Sequence, residues 1–278
     1  MGKKILGPHV VHNADCLAVL QDLPADHFDL TITDPPFHTT DLSFDKAGKD
    51  QNYAAIYREI KRTLKPAGWF FCFATIEMAA EILGAGWRRK FEYVWVKPRL
   101  VMKTHNTIRP YYQHEIIIGC IKPELKKMAD LYFDPTVLRT DGEPYKRKRG
   151  GLKATQFIAE TRTVPIDENG FEKLYMCENV GFREGTTVIY DCNKNTSRHH
   201  DRTDHPTQKP ASLYELIMRA YCPPGGRILD PFGGSGTALQ AAAKTGREST
   251  LMEINQKYYE EIIRRYQERP PNTNLEIY

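Results

Sequence analysis

Two stretches of this sequence set carboxylates beside tight turns, and each has the residue types of a ligand site. The first, residues 28 to 37, reads Phe28-Asp29-Leu30-Thr31-Ile32-Thr33-Asp34-Pro35-Pro36-Phe37. Its alternating, β-branched run predicts a strand that stops at Asp34, because a proline cannot continue a hydrogen-bonded ladder. Each proline fixes φ and lacks an N–H. The Asp34 side chain, the Asp34 and Pro35 carbonyls and the Phe37 ring are therefore presented together in one stiff turn. Acceptors beside a flat apolar face suit a planar ligand that bears an amine. Taken alone, the same residues would also serve as an ordinary strand-ending turn.

The second stretch, Arg227-Ile228-Leu229-Asp230-Pro231-Phe232-Gly233-Gly234-Ser235-Gly236-Thr237, runs strand, glycine turn and helix start in sequence. A doubly wound sheet binds ligands at such a place, between the carboxyl end of a strand and a helix N-terminus. Glycines permit close backbone approach, and the first helical amides face the site. Glu253, near the end of the following strand, is spaced to accept hydrogen bonds from ribose hydroxyls, so a nucleoside-bearing cofactor is expected. The turn lacks G-x-G-x-x-G spacing and no Gly-Lys-Ser/Thr follows it, so it is neither a dinucleotide fingerprint nor a P-loop.

The elements that must carry these turns follow from periodicity. A short strand over His9 to Asp15 closes on a carboxylate, and Leu17, Leu20 and Leu23 continue at helical spacing. Phe37 to Lys49 is polar and aperiodic, which predicts a long loop near the site. Tyr53, Ile56, Tyr57, Ile60 and Leu64 mark one helical face, with Lys65-Pro66-Ala67-Gly68 expected to stop it. Trp69 to Phe73 predicts a buried strand, Ile76 to Leu83 a helix, and Phe91 to Val96 and Glu115 to Ile121 two further strands. Residues 122 to 204 then lose periodicity while keeping aromatic residues, as an ordered insertion would. Regularity returns with helical faces at 213–221, 238–244 and 258–266 and a strand over 249–254. Strands alternating with helices predict an α/β fold with a doubly wound, mostly parallel sheet.

Composition bounds the class. An apolar fraction of 41% with 27% charge is ordinary for a globular protein, and no run of about eighteen apolar residues could span a bilayer. The six scattered cysteines form no C-x-x-C pair, which argues against a zinc ribbon or redox dithiol, leaves no metal site expected, and fits a reduced, cytoplasmic setting. Net charge is only +4, from 39 basic and 35 acidic residues, but its distribution is uneven. Arg88, Arg89, Lys90, Lys97, Arg99, Lys103 and Arg109 face Glu92 alone, and Lys146, Arg147, Lys148 and Arg149 form a second cluster with Lys153. Both patches are footprints that a phosphate backbone would need, and the same runs would also serve as a solvated face or mobile loop.

Asp34-Pro35-Pro36-Phe37 resembles the Asp-Pro-Pro-Tyr/Phe catalytic motif of the amino-methylating DNA methyltransferases, and Asp230 to Thr237 resembles their S-adenosylmethionine-binding motif. His205-Pro206-Thr207-Gln208-Lys209-Pro210 is similar to the element that precedes it in the permuted, beta-type subgroup, where the catalytic motif comes first. Lys65 to Trp69, Val94-Trp95-Val96-Lys97 and His114-Glu115 are similar to intermediate elements of that family.

The resemblance implies an S-adenosylmethionine-dependent core over 1–121 and 205–278, with 122–204 as the target-recognition region. Asp34, Pro35, Pro36 and Phe37 become the catalytic residues. Asp230, Pro231, Phe232, Gly233, Gly234, Ser235, Gly236, Thr237 and Glu253 become the cofactor site, with Asp15 completing it against the adenine amine and Thr207 and Lys209 near the methionine end. The expected substrate is double-stranded DNA, flipped for methylation at adenine N6, since Asp at the first motif position goes mostly with adenine. Cytosine-N4 transfer and a non-catalytic DNA-binding relative are the alternatives. A bacterial or phage restriction-modification setting, phosphate contacts from Lys146 to Arg149 and a homodimer complete the expectations.

Overall fold

The computed structural model describes residues 2–37, 51–97, 113–141, 145–148, 176–179, 182–183, 185–190 and 208–268, with backbone alone at 140–141, 145–148, 176–179 and 182–183. The expected loop beyond Phe37, the basic residues Arg99, Lys103, Arg109, Arg149 and Lys153, and Thr207 lie outside the described residues.

The first half of the chain runs β1 (Gly2–Leu6), β2 (His9–Asn13), α1 (Cys16–Asp22), β3 (Phe28–Thr33), α2 (Tyr53–Thr63), β4 (Leu64–Ala74), α3 (Ile76–Gly84), β5 (Arg88–Val96) and β6 (His114–Ile121). Short strands β7 (Thr140–Asp141), β8 (Tyr145–Lys148), β9 (Met176–Asn179), β10 (Phe182–Arg183) and β11 (Val188–Ile189) follow. The chain then continues through α4 (Ala211–Tyr221), β12 (Arg227–Asp230), α5 (Thr237–Lys244), β13 (Glu248–Met252) and α6 (Gln256–Glu268). Among the described residues, nine strands form one sheet in the order β1-β2-β13-β12-β3-β4-β6-β5-β11. From β2 through β13, β12 and β3 to β4 every neighbour is parallel, whereas β6 runs antiparallel to both β4 and β5. This is the expected α/β architecture with a mostly parallel sheet.

The two-residue side-chain period of β4 explains why both faces of the sheet are covered. Phe70, Cys72 and Ala74 point into a core shared with Cys16, Val19 and Leu20 of α1, Ile56, Tyr57 and Ile60 of α2, and Met78 and Ile82 of α3. The alternate residues Trp69 and Phe71 pack on Tyr221, and Phe73 stacks on Tyr214, both from α4.

Three elements differ from expectation. β1 pairs with β2 across Gly7, whose φ of 60° is open to glycine; β1 itself carries lysines and an exposed Ile5, so it showed no apolar alternation. Lys65-Pro66-Ala67-Gly68 does not follow a helix as its stop but lies within β4. The register with β3 jumps there, from Phe28 opposite Leu64 to Leu30 opposite Trp69, and this irregularity accommodates a proline inside a strand.

The third difference concerns the insertion. The chain divides into Met1–Val137 with Thr186–Tyr278, and a smaller unit Leu138–Gly185, narrower than 122–204. Residues 122–137 join the main unit because Trp69 donates to the Tyr132 carbonyl at 2.9 Å, the Asp134 amide donates to the Ala220 carbonyl at 2.8 Å, and Phe133 stacks on Tyr221. At the other end, β11 extends the sheet beside β5. The smaller unit contains two antiparallel pairs, β7 with β10 and β8 with β9.

Phe70 is fully buried between Tyr57 and Trp87. Phe70→Ala should therefore lower the unfolding free energy by about 3–5 kcal/mol in a denaturant titration, and a loss below about 1 kcal/mol would contradict this core assignment.

Candidate functional site

Strand order places the two chemical turns side by side. From β12 the chain moves through α5 to β13 on one side, and from β3 through α2 to β4 on the other, so the order reverses between β12 and β3. That reversal is where open α/β sheets form a ligand crevice. The parallel strands bring Glu253, Asp230 and Asp34 to one edge. Antiparallel β6 begins at the same edge, since Ala74 lies opposite Ile116, and the end of β5 joins it, with Val96 opposite His114. Glu115 and Lys97 therefore arrive beside Asp34.

The cofactor-type turn is held from behind. The Gly233 amide donates to the Met252 carbonyl at 2.7 Å, and the Gly236 amide to the Gly233 carbonyl at 2.8 Å. Gly236 has φ of 76°, and a Cβ there would press on Ile262 of α6 at 3.0 Å, so both backbone and space require glycine. Arg265 donates to the Ser235 carbonyl at 3.0 Å. The Ser235 and Thr237 hydroxyls lie 3.0 Å apart, and Thr237 reaches the Lys209 carbonyl at 3.4 Å. Pro231 is buried, and the half-buried Phe232 ring stacks on Tyr53.

Glu253 sits as expected beside the turn, but both carboxylate oxygens accept backbone N–H groups, from Gly234 at 2.8 Å and from Asn255 at 2.7 Å. Burial pushes its carboxyl upward while those bonds oppose the shift. Asp15, two residues beyond β2, lies at the same edge as the N-cap of α1, accepting from the Ala18 amide at 3.2 Å.

Asp230 is almost completely buried. It accepts the Thr33 hydroxyl at 2.6 Å and the Phe232 amide at 3.1 Å. Burial pushes its carboxyl up to about 8, against the lowering effect of those hydrogen bonds, with Asp34 and Glu253 adding repulsion.

At the acceptor turn, the Lys209 ammonium lies 2.6 Å from Asp34 Oδ2 and 3.3 Å from Glu115 Oε2, and Lys97 holds the other Glu115 oxygen at 2.8 Å. The Lys209 nitrogen also sits over the Phe37 and Phe73 rings, 5.4 and 4.9 Å from their centroids. Burial would lower the Lys209 ammonium, but Asp34 and Glu115 keep it above the ordinary lysine range. Likewise burial would raise Glu115, yet Lys209 and Lys97 hold it below the ordinary carboxylate range. Pro35 is buried and Pro36 and Phe37 are half-buried, so the ring keeps an accessible face.

Sequence reading located Asp34, Lys209 and the glycine turn but did not place Glu115 or Lys97 in the site, although both stand in segments noted for their resemblance. Lys97 in particular had been counted in a phosphate-binding run. It is instead buried against Glu115, while Arg88 donates to the Leu125 carbonyl and Arg89 pairs with Glu92. Lys146, Arg147 and Lys148 lie on β8 of the smaller unit.

A glycine turn and an acceptor turn meeting at a switch point define a nucleoside-cofactor enzyme of the α/β class. The chain belongs to the DNA methylase family, whose profile matches residues 28–264. It is 42% identical over 283 residues to Type II methyltransferase M.ScaI of Streptomyces caespitosus, covering 92% of this chain and 80% of that protein. DNA adenine methyltransferase YhdJ of Escherichia coli (strain K12) is 25% identical, over 92% of this chain and 81% of its own length. The chain spans 66% of the length of Type II methyltransferase M.BglII of Bacillus subtilis. Among solved structures, PvuII DNA methyltransferase (cytosine-N4-specific) shares the fold with a TM-score of 0.61 at 16% identity, over 92% of this chain and 85% of that one.

The Asp230 shift makes a testable prediction about the protein without ligands. An unfolded aspartate titrates near about 3.9, so between about pH 4 and 8 the native state holds a proton that the unfolded state has released, and stability falls as pH rises. Asp230→Asn, neutral throughout, should remove that slope from thermal melts. A wild-type to variant difference that stays constant from about pH 5 to 9 would contradict a protonated Asp230.

Proposed function

We propose that this chain methylates the exocyclic N6 of adenine at specific sites in duplex DNA, using S-adenosylmethionine. The observation that carries the reading is the Asp34 carboxylate at the switch point, one strand away from Asp230 and the glycine turn. The residues present suit the cofactor: close backbone approach at Gly233, Gly234 and Gly236 favours a nucleoside, Glu253 a ribose, and the Asp34 carboxylate a cationic group. S-adenosylmethionine supplies an electrophilic methyl group on a sulfonium. Asp15, Thr207 and Ser235 to Thr237 complete its binding in this reading.

The protein's task is to prepare the nucleophile. An exocyclic amine is weakly nucleophilic because its lone pair is delocalised into the ring. Asp34 and the Pro35 carbonyl accept its hydrogens and favour a geometry in which nitrogen attacks in line. Phe37 stacks on the base, and that contact offsets part of the unstacking cost of flipping the nucleotide from the duplex. Positioning and fixed charges carry most of the rate enhancement. Asp at the first motif position and the likeness to an adenine methyltransferase support adenine over cytosine.

Incubating the protein with labelled S-adenosylmethionine and duplex DNA, then analysing the nucleosides, tests this directly. N6-methyladenine should form, and Asp34→Ala should reduce it by at least about 100-fold. Label found only as N4-methylcytosine would overturn the base assignment. Phe37→Ala should weaken base capture by about 1–3 kcal/mol while Phe37→Tyr should not, and equal losses would contradict the stacking role.

Residues 122 to 204, and the Leu138–Gly185 unit within them, serve in this reading as the target-recognition region, with Lys146 to Arg149 on phosphates. Neutralising Lys146, Arg147 and Lys148 should weaken DNA binding for all sequences alike and lower the slope of log K against log salt by up to about three. Loss confined to one recognition sequence would instead identify them as base readers.

A further inference from the structure

Resting on the reading of Asp34 as the amine acceptor, we propose that Glu115 is the counter-ion to which Lys209 is handed when Asp34 turns to the exocyclic amine, and that Lys97 holds Glu115 in place for this exchange. In the structure described here the ammonium already bridges the two carboxylates, nearer to Asp34 at 2.6 Å than to Glu115 at 3.3 Å. Lys209 is buried, so it cannot meet water when Asp34 changes partner. An ammonium left there without a carboxylate would be strongly disfavoured. Asp34 clamped by a sole lysine partner would, conversely, be a poor acceptor for a weakly polarised amine. Glu115 resolves both problems because a small shift of the lysine head exchanges a short contact on one side for a short contact on the other. Its second oxygen is engaged by Lys97 at 2.8 Å, and Lys97 is itself buried, so Glu115 stays charged and fixed throughout.

Among the described residues, the groups about the ammonium are Asp34, which follows β3, Glu115 of β6, Cys72 of β4 and the Phe37 and Phe73 rings, with Lys97, which follows β5, on the far oxygen of Glu115. Cys72 and Tyr214 are pushed far up by burial and remain neutral. Asp34 and Glu115 are the two carboxylates in ion-pair contact with Lys209. Glu115 and Lys97 are accordingly positioning residues: they act on Asp34 through Lys209.

Glu115→Gln keeps the shape and removes the charge. In the protein without ligands, NMR titration of labelled lysine side chains should show Lys209 losing its proton at lower pH in Glu115→Gln than in the wild type, because burial is then opposed by Asp34 alone. In single-turnover methyl transfer the variant should be slower by about 100-fold, with an alkaline fall in rate that begins at lower pH, and should still bind S-adenosylmethionine with unchanged affinity by calorimetry. Lys97→Gln, which leaves both carboxylates in place but removes a cation that shares Glu115, should slow transfer by less and raise rather than lower the pH at which Lys209 loses its proton, and it carries the test if Glu115→Gln does not fold. A wild-type rate, an unmoved pH profile or lost cofactor affinity in the folded variant would overturn the hand-over. Asp34→Asn separates the two levels: transfer that survives it refutes the acceptor reading, whereas silence of Asp34→Asn beside a normal Glu115→Gln refutes the hand-over alone.

Discussion

A buried ammonium persists only beside carboxylates, and the Lys209 charge constrains much of the molecule. Removing one partner of a buried ion pair costs about 3–5 kcal/mol, so the elements carrying Asp34, Glu115 and Lys97 cannot drift apart without penalty. Lys209 and Asp34 stand 175 positions apart in sequence. What unites the elements is strand direction. The parallel strands β3 and β4 deliver their carboxyl ends to the ligand edge, and β6, running antiparallel, delivers its amino end there, so Glu115 at the second position of β6 faces the turn after β3.

The cofactor side of the site is built by a different means. Its turn contains no ion pair among the described residues; it is shaped by backbone hydrogen bonds to β13, by Arg265 on the Ser235 carbonyl, and by Ile262 filling the space that any side chain at Gly236 would need. α6 thus sets the turn from behind. Near the β1–β2 hairpin, α6 is secured by Tyr266 packing edge-on against the ring of His9, itself bonded to Ser249 at 2.9 Å. The hairpin therefore supports the cofactor turn at one remove.

Local patterns made much of this legible. A strand broken by two prolines, a glycine turn between strand and helix, and an acidic residue one strand later are signals contained within a few residues, and each occurs at the end of the strand to which it was assigned. The missed features are those without a local signature. β1 forms because β2 offers it an edge, not because its own lysines favour a strand. Pro66 is tolerated inside β4 because the register jumps there. Glu115 and Lys97 look like members of ordinary polar flanks until the antiparallel β5–β6 pair brings them to Lys209. Tyr132 and Phe133 stand in an aperiodic stretch, and the aromatic cluster around Trp69 and Tyr221 claims them for the main unit.

A side-chain bond couples the two halves of the site. Thr33, the residue before Asp34, donates its hydroxyl to Asp230, which opens the cofactor turn, at 2.6 Å. Neighbouring strands lie about 4.8 Å apart, close to the separation that two reacting groups must approach, about 3–3.5 Å, for transfer. In the proposed reaction, donor and acceptor turns on adjacent strands therefore begin near that geometry. The Thr33 bond adds an electrical link to the mechanical one. It lowers the Asp230 carboxyl against the upward push of burial, so the hydroxyl that anchors the acceptor turn also helps decide whether the cofactor turn carries a negative charge. A cation arriving beside Asp230 would complete that ionisation, so charge at the cofactor turn and placement of the Asp34 turn depend on the same hydroxyl.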